Sequence, residues 1–271
     1  MPVHHSIVRH WQTEMRVLNK NLLMLKQQIT ADPVHDLRVS IKKIRSYFKL
    51  CLALSGEHAA KGLSSRTGEL FSMLGNHRNI EISRKLLLTI RGKEDEHLHS
   101  ILVYLQLLQE QVSEYCRKLI SEFDSGELNE LTEKMQAMTG KFDPEELSNE
   151  VHSIIKSHAE DVKHQHQHFK ERFHLVRKSL KNIYYWETMF GSEIVFTKSQ
   201  LNLVDKILDH LGNIQDHQVT IRNLKNFRKT ILTKTVPEYE VIKAIELKAK
   251  KKKDDLLDKA DKLTHELLKK F

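Results

Sequence analysis

Apolar residues recur along most of this chain at spacings of three and four. The clearest run is Leu98, Ile101, Leu105, Leu108, Val112, Tyr115 and Leu119, and such alternation lays one apolar stripe along a helix packed antiparallel in a bundle. The same period predicts a first helix from about Ser6 to Ile29, with Ile7, Trp11, Leu18, Leu22 and Leu25 facing inward. Ala31-Asp32-Pro33 reads as a stop and a restart. Asp32 suits the N-cap and Pro33 the first helical position of a second helix reaching about Leu54. After a turn at Ser55-Gly56, a third helix is expected from about His58 to Ile90, ended by Gly92. Asp124-Ser125-Gly126 closes the fourth helix, and a short connector runs near Leu128 to Met138. Gly140-Lys141-Phe142-Asp143-Pro144 is the boundary between halves. Beyond it a helix from Glu145 leads into one that ends near Gly191. Another runs from about Lys198 to Leu232, and Pro237 opens the last.

The two halves echo each other. His35, Arg38 and Lys42 superpose on His174, Arg177 and Lys181 with one offset of 139 residues, and Leu37, Ile41 and Ile44 superpose on Val176, Leu180 and Ile183. A second echo, Leu74-Gly75-Asn76-His77-Arg78-Asn79 against Leu211-Gly212-Asn213-Ile214-Gln215-Asp216, has an offset of 137. Two offsets so close imply one duplicated helical unit with a small loop change. Within the first copy, His35, Arg38, Lys42 and Arg45 fall inside an arc of about 80° at 100° per residue. Burying the neighbouring stripe Leu37, Ile41, Ile44 and Phe48 therefore fixes where the basic stripe points. Lys43 lies off this line. A basic run on a single helix is ordinarily a solvated face, but here no acid interrupts the stripe and the stripe returns in the second half.

Composition sharpens the class. With 9 Gly and 4 Pro in 271 residues, a β-rich or loop-rich fold is disfavoured, and the Leu, Lys, Glu and Gln content suits a nearly all-α chain. A net charge of +8 favours anionic partners without choosing among them. Cys51 and Cys116 both sit in helical apolar patterns, which suits buried free thiols in a reducing cytoplasm. The start Met1-Pro2-Val3-His4-His5 lacks a signal-peptide core, and no apolar run approaches a membrane span. A cytoplasmic protein with no membrane contact is expected.

His-x-x-Arg-Val-x-x-Lys-Lys-x-Arg from His35, a His-x-x-Arg-x-x-x-Lys copy from His174, and a Leu-Gly motif after each resemble the CHAD (conserved histidine α-helical domain) family over essentially the whole chain. The resemblance implies one domain over residues 1–271. It would consist of two tandem four-helix bundles, in repeat lobes 1–140 and 141–271, related by a pseudo-twofold around a basic central channel or groove. It implies binding of inorganic polyphosphate, association with polyphosphate granules in some members, and no catalysis. Carried over residue by residue, the contacts would be His35, Arg38, Lys42, Lys43, Arg45, His174, Arg177 and Lys181. The chain departs from the family where Arg78-Asn79 and Gln215-Asp216 stand in the Leu-Gly motifs, and where Tyr184 replaces the counterpart of Arg45. The second stripe is thinner for it.

The physics of the ligand fits. A linear polyphosphate presents only oxygen acceptors at about one charge per phosphate, which suits bidentate Arg and mobile Lys. Nucleic acid offers the same charges, and the Lys248–Lys253 run could hold it weakly. The stripes, however, carry few aromatics for base stacking and no sequence-reading motif appears. A third reading is a metal site: Glu160, His164, His168 and Glu171 form an i, i+4, i+8, i+11 line that could ligate Zn²⁺ or Ni²⁺. No cofactor is called for, and no phosphate-binding Gly-rich loop or nucleophile grouping suggests turnover. The sequence leaves the oligomeric state open.

Overall fold

The computed structural model describes residues 3–54, 65–90, 98–123, 126–140, 143–191 and 194–270. Among these it is built of α1 (Val3–Gln27), α2 (Ala31–Leu54), α3 (Ser65–Ile90), α4 (His99–Ser121), α5 (Gly126–Thr139), α6 (Pro144–His166), α7 (Phe169–Phe190), α8 (Lys198–Thr230) and α9 (Pro237–Leu268). The expected turn at Ser55-Gly56, the start of the third helix at His58 and its stop at Gly92 lie outside the described residues. None of the described helices is long and apolar enough to cross a membrane.

Local chemistry sets the ends. Asp143 caps α6, its Oδ1 accepting from the Glu145 and Glu146 amides at 2.9 and 3.4 Å, with Pro144 behind it in the first turn. Gly191, at φ 63°, supplies the left-handed residue that stops α7. Thr197 and Gln200 form a reciprocal capping box at α8. At α2 the expectation is corrected. The Val34 amide donates to the Thr30 carbonyl at 3.2 Å, so the helix opens at Ala31. Asp32 then sits inside the first turn, where a carboxylate still meets the positive end of the helix dipole. Pro33 is tolerated there because no amide of that turn has an intrahelical acceptor.

Helix hairpins α1–α2 and α6–α7 pack on one another, and α3 packs on α8 between hairpins α3–α4 and α8–α9. Within each half the hairpins meet as well, α2 on α3 and α1 on α4, then α7 on α8 and α6 on α9. One core cluster runs through both halves and through α5, from Trp11, Leu37 and Ile44 to Leu128, Val151, Val176 and Leu211. A smaller one joins Leu87, Ile101 and Leu105 of the first half to Leu224, Phe227 and Ile242 of the second. The two halves, 1–140 and 141–271, thus pack against each other through shared cores. Trp186 shows the consequence, donating to the Ser46 carbonyl across the halves at 2.9 Å, while Trp11 ties α1 to α5 within the first half by donating to Thr132 Oγ1 at 2.9 Å.

Both cysteines are buried and free, as read from the pattern. Burial pushes the Cys51 thiol up to about 12 and the Cys116 thiol to about 11, so neither offers a thiolate.

Candidate functional site

This packing brings α2 against α7 and α3 against α8, with α2–α3 and α7–α8 also in contact. Positions that correspond in the repeat meet there. Thr220 Oγ1 donates to Ser83 Oγ at 3.3 Å, and those two residues share the 137-residue offset of the Leu-Gly motifs. Asn223 adds a donor to the same Ser83 oxygen at 2.9 Å. On the α2–α7 side, Ser46 donates to Asn182 Oδ1 at 3.1 Å. These buried polar contacts register the four helices and leave the space between them to the cations.

That space holds two clefts joined at Phe71, His174 and Gln215, which line both. The larger, about 730 Å³, has Arg38, Gly75, Asn79 and Arg222 in its walls, with Glu171 on its rim. The smaller, about 440 Å³, is walled by Lys42, Arg45, Lys49, Arg177, Lys178 and Lys181, and among the described residues no carboxylate lines it. Of the eight sequence-predicted residues, Arg38, Lys42, Arg45, His174, Arg177 and Lys181 are thus brought together. His35 is exposed and lines neither cleft. Lys43 is directed elsewhere, to an ion pair with the buried Glu14 of α1 at 2.7 Å. Its helical angle gives the reason: one residue beyond Lys42 is a turn of 100° away.

The arginines are preorganised by the Leu-Gly helices. Arg38 Nη1 donates to the Phe71 carbonyl at 2.6 Å, and the Arg38 and Arg45 guanidiniums lie over the Phe71 ring at 4.5 and 4.4 Å. Gly75 makes this possible, since a Cβ there would stand 2.6 Å from Arg38 Nη1. In the second copy Gly212 faces Arg177 Nη2, at 3.9 Å from the same imagined Cβ. Each glycine of the repeat thus opens the surface of one helix to an arginine from the helix before it.

Charge accumulates with little compensation. Desolvation first, then Lys181, Arg38 and Arg177, bring the Lys42 ammonium down to about 7, opposed only by Asp216. Desolvation, Arg177 and Arg38 lower Lys181 to about 8. Desolvation, Arg78 and Arg45 bring Arg38 down to about 10. His35 is lowered by desolvation and then by Arg78. A site that makes its own cations give up protons is a site that lacks an anion.

Several members escaped sequence reasoning. Lys49 continues the 38–42–45 spacing by one more step of four and was legible. Its ammonium lies 6.0 Å from the Trp186 ring centroid and 3.3 Å from His158 Nε2. Arg78 was quoted in the motif but not carried into the site, and Asp216 likewise. Lys178 had no signal, because it sits beside the stripe rather than on it. The metal line fails. The helix breaks at Gln167-His168, so His168 leaves the register of His164. His166 turns instead to Asp261, 2.8 Å away. Among the described residues no group of three or more His, Cys, Asp or Glu is placed to hold a metal.

A family model, the CHAD domain, matches residues 9–225. The crystal structure of the CHAD domain from the plant Ricinus communis aligns with a TM-score of 0.77 at 14% identity, over 98% of this chain and 92% of that one, a likeness of fold. No curated protein matches the sequence.

Proposed function

The chain belongs to the CHAD family, and on that premise we propose that it binds inorganic polyphosphate, without turnover, in the double cleft between α2, α3, α7 and α8. What carries the reading is the smaller cleft, with six cationic side chains from both halves and, among the described residues, no acid in its walls. A polyanion entering it supplies the missing charge, restores protons to Lys42 and Lys181, and accepts forked donors from Arg45 and Arg177, with Arg38 reached from the larger cleft. In this reading the protein is cytoplasmic and accompanies polyphosphate granules.

Nucleic acid is the rival. Against it, the Phe71 ring shared by both clefts is already covered by two guanidiniums, which takes that ring from a base as a stacking platform. The Lys248–Lys253 run gives weak, non-specific contact on exposed α9. The test is a competition titration. Labelled long-chain polyphosphate is displaced by unlabelled polyphosphate, double-stranded DNA, RNA and short phosphates at several salt concentrations. Polyphosphate should win at equal charge, with affinity falling linearly on a log–log plot against salt. A base-dependent, salt-insensitive preference for RNA would overturn the reading.

A further inference from the structure

Resting on the polyphosphate reading, we propose that His158 is a positioning residue for Lys49, one that holds this ammonium beside the smaller cleft and yields it to an arriving polyanion while taking up a proton itself. Lys49 is exposed on α2 and lines that cleft. His158, on α6, is largely buried, with its Nε2 3.3 Å from Lys49 Nζ and its Nδ1 3.1 Å from Asp161 Oδ2. Trp186 floors both groups. Its indole is fixed by the hydrogen bond to the Ser46 carbonyl, and its ring lies 4.9 Å from the His158 ring and 6.0 Å from the Lys49 ammonium.

These contacts dictate where the proton sits. An ammonium can only donate and an ionised carboxylate can only accept. His158 therefore accepts at Nε2 and donates from Nδ1, which makes it a neutral ring in the empty protein. A proton on Nε2 turns that acceptor into a donor and breaks the contact with Lys49. Among the described residues, the charged groups that act on the ring come from three helices. Burial, then Lys49 of α2 and Lys178 of α7, oppose the imidazolium, Asp161 of α6 favours it, and the ring is held below the ordinary histidine value. A polyanion in the cleft reverses this balance. Phosphate oxygens draw the Lys49 hydrogens away from Nε2 and answer the charge of Lys49 and Lys178, both in the cleft wall. Asp161 is left to favour the imidazolium. Binding thus raises the proton affinity of His158, and by reciprocity a proton on His158 raises the affinity for the polyanion. This gain belongs to acid pH, below the values of about 7 and 8 at which Lys42 and Lys181 carry the dependence near neutrality.

The full chain, carrying isotope-labelled histidine, is titrated by NMR between about pH 8 and about pH 5, the range in which histidine changes charge, with and without long-chain polyphosphate. The His158 signals are identified by their loss in His158→Gln. At the alkaline end the empty chain should show His158 as the Nδ1–H tautomer. Polyphosphate should raise its midpoint by about half a pH unit, since solvent around the exposed Lys49 and Asp161 screens the coupling. Linkage then requires the unaltered chain to gain about threefold more polyphosphate affinity on acidification than His158→Gln does. His174, which lines both clefts, is present in both proteins and cancels from that comparison. Lys49→Met should remove most of the rise in the His158 midpoint. An Nε2–H tautomer in the empty chain, an unmoved midpoint, a full rise in Lys49→Met, or an equal acid gain in His158→Gln would overturn the proposal alone. Failure of the unaltered chain to bind long-chain polyphosphate would overturn the functional reading itself, and the proposal with it.

Discussion

At the scale of single residues, the two Leu-Gly glycines are tests of one idea at two tolerances. Alanine is favoured over glycine inside a helix by about 1 kcal/mol, so on propensity alone both substitutions would stabilise. At Gly212 the added methyl meets Arg177 at an ordinary 3.9 Å, and Gly212→Ala should be neutral to stabilising with polyphosphate affinity intact. At Gly75 it would meet Arg38 Nη1 at 2.6 Å. Gly75→Ala should therefore push the guanidinium off the Phe71 carbonyl and weaken binding, which paired binding and thermal-unfolding measurements would show. Equal behaviour of the two variants would sink the role assigned to Gly75. Lys42 and Lys181 carry the pH dependence. Polyphosphate favours their charged forms, so binding takes up protons and affinity should fall as pH rises through the window of about 7 to 8. Calorimetry in buffers of different ionisation enthalpy reads that uptake directly, and a flat profile across the window would refute it. For the empty protein the sign is opposite. The unfolded chain holds these protons up to about pH 10.4, so it binds more of them than the folded state, and these two lysines make stability rise with pH from about 7 upward.

At the scale of helices, most of what mattered was legible because a period of 3.6 writes itself into sequence. Leu98 to Leu119 predicted α4, and Asp143-Pro144 marked the start of α6, observed at Pro144 where Glu145 was expected. What was missed was local and energetic. Thr30, not Asp32, begins α2, because backbone donors need only a carbonyl and Thr30 offered one. The break at Gln167-His168 had no Gly or Pro to announce it. The stripe on α2 placed Arg38, Lys42 and Arg45 as neighbours, while Lys43, also among the expected contacts, lies off the stripe and pairs with Glu14. The stripe also predicts a hierarchy. Arg38→Glu and Arg177→Glu should each weaken polyphosphate binding severely with helicity retained, and Lys251→Glu on exposed α9 should cost much less. If Lys251→Glu proved as damaging, binding would belong to a diffuse basic surface and not to the cleft.

At the scale of the whole molecule, the all-α class was legible, and the packing partners of each helix were not. A pattern of four helices per half says nothing of which half each apolar stripe faces. That choice is made by long-range packing, and here the stripes of one half are covered by the other. Residues 1–140 and 141–271 expressed alone would expose those faces to water, so each should be poorly folded and should not bind. Mixed, the fragments should recover helicity and affinity together, as circular dichroism and titration would reveal. Independent cooperative folding of either half would contradict the shared core.

The hydrogen bond between Ser83 and Thr220 has a consequence for how such a molecule can vary. Two identical half-length chains meeting at this place would form an isologous interface, in which every side chain near the symmetry centre confronts its own copy. Each substitution would then occur twice, and a carboxylate introduced beside one arginine would appear beside both. Joining the halves in one polypeptide lifts that constraint. Serine can face threonine, Asn79 can stand opposite Asp216, and Arg45 can answer Tyr184. A binding centre that began as two equal sides is thereby free to acquire a direction, and a linear anion lying across it has two unlike ends to meet.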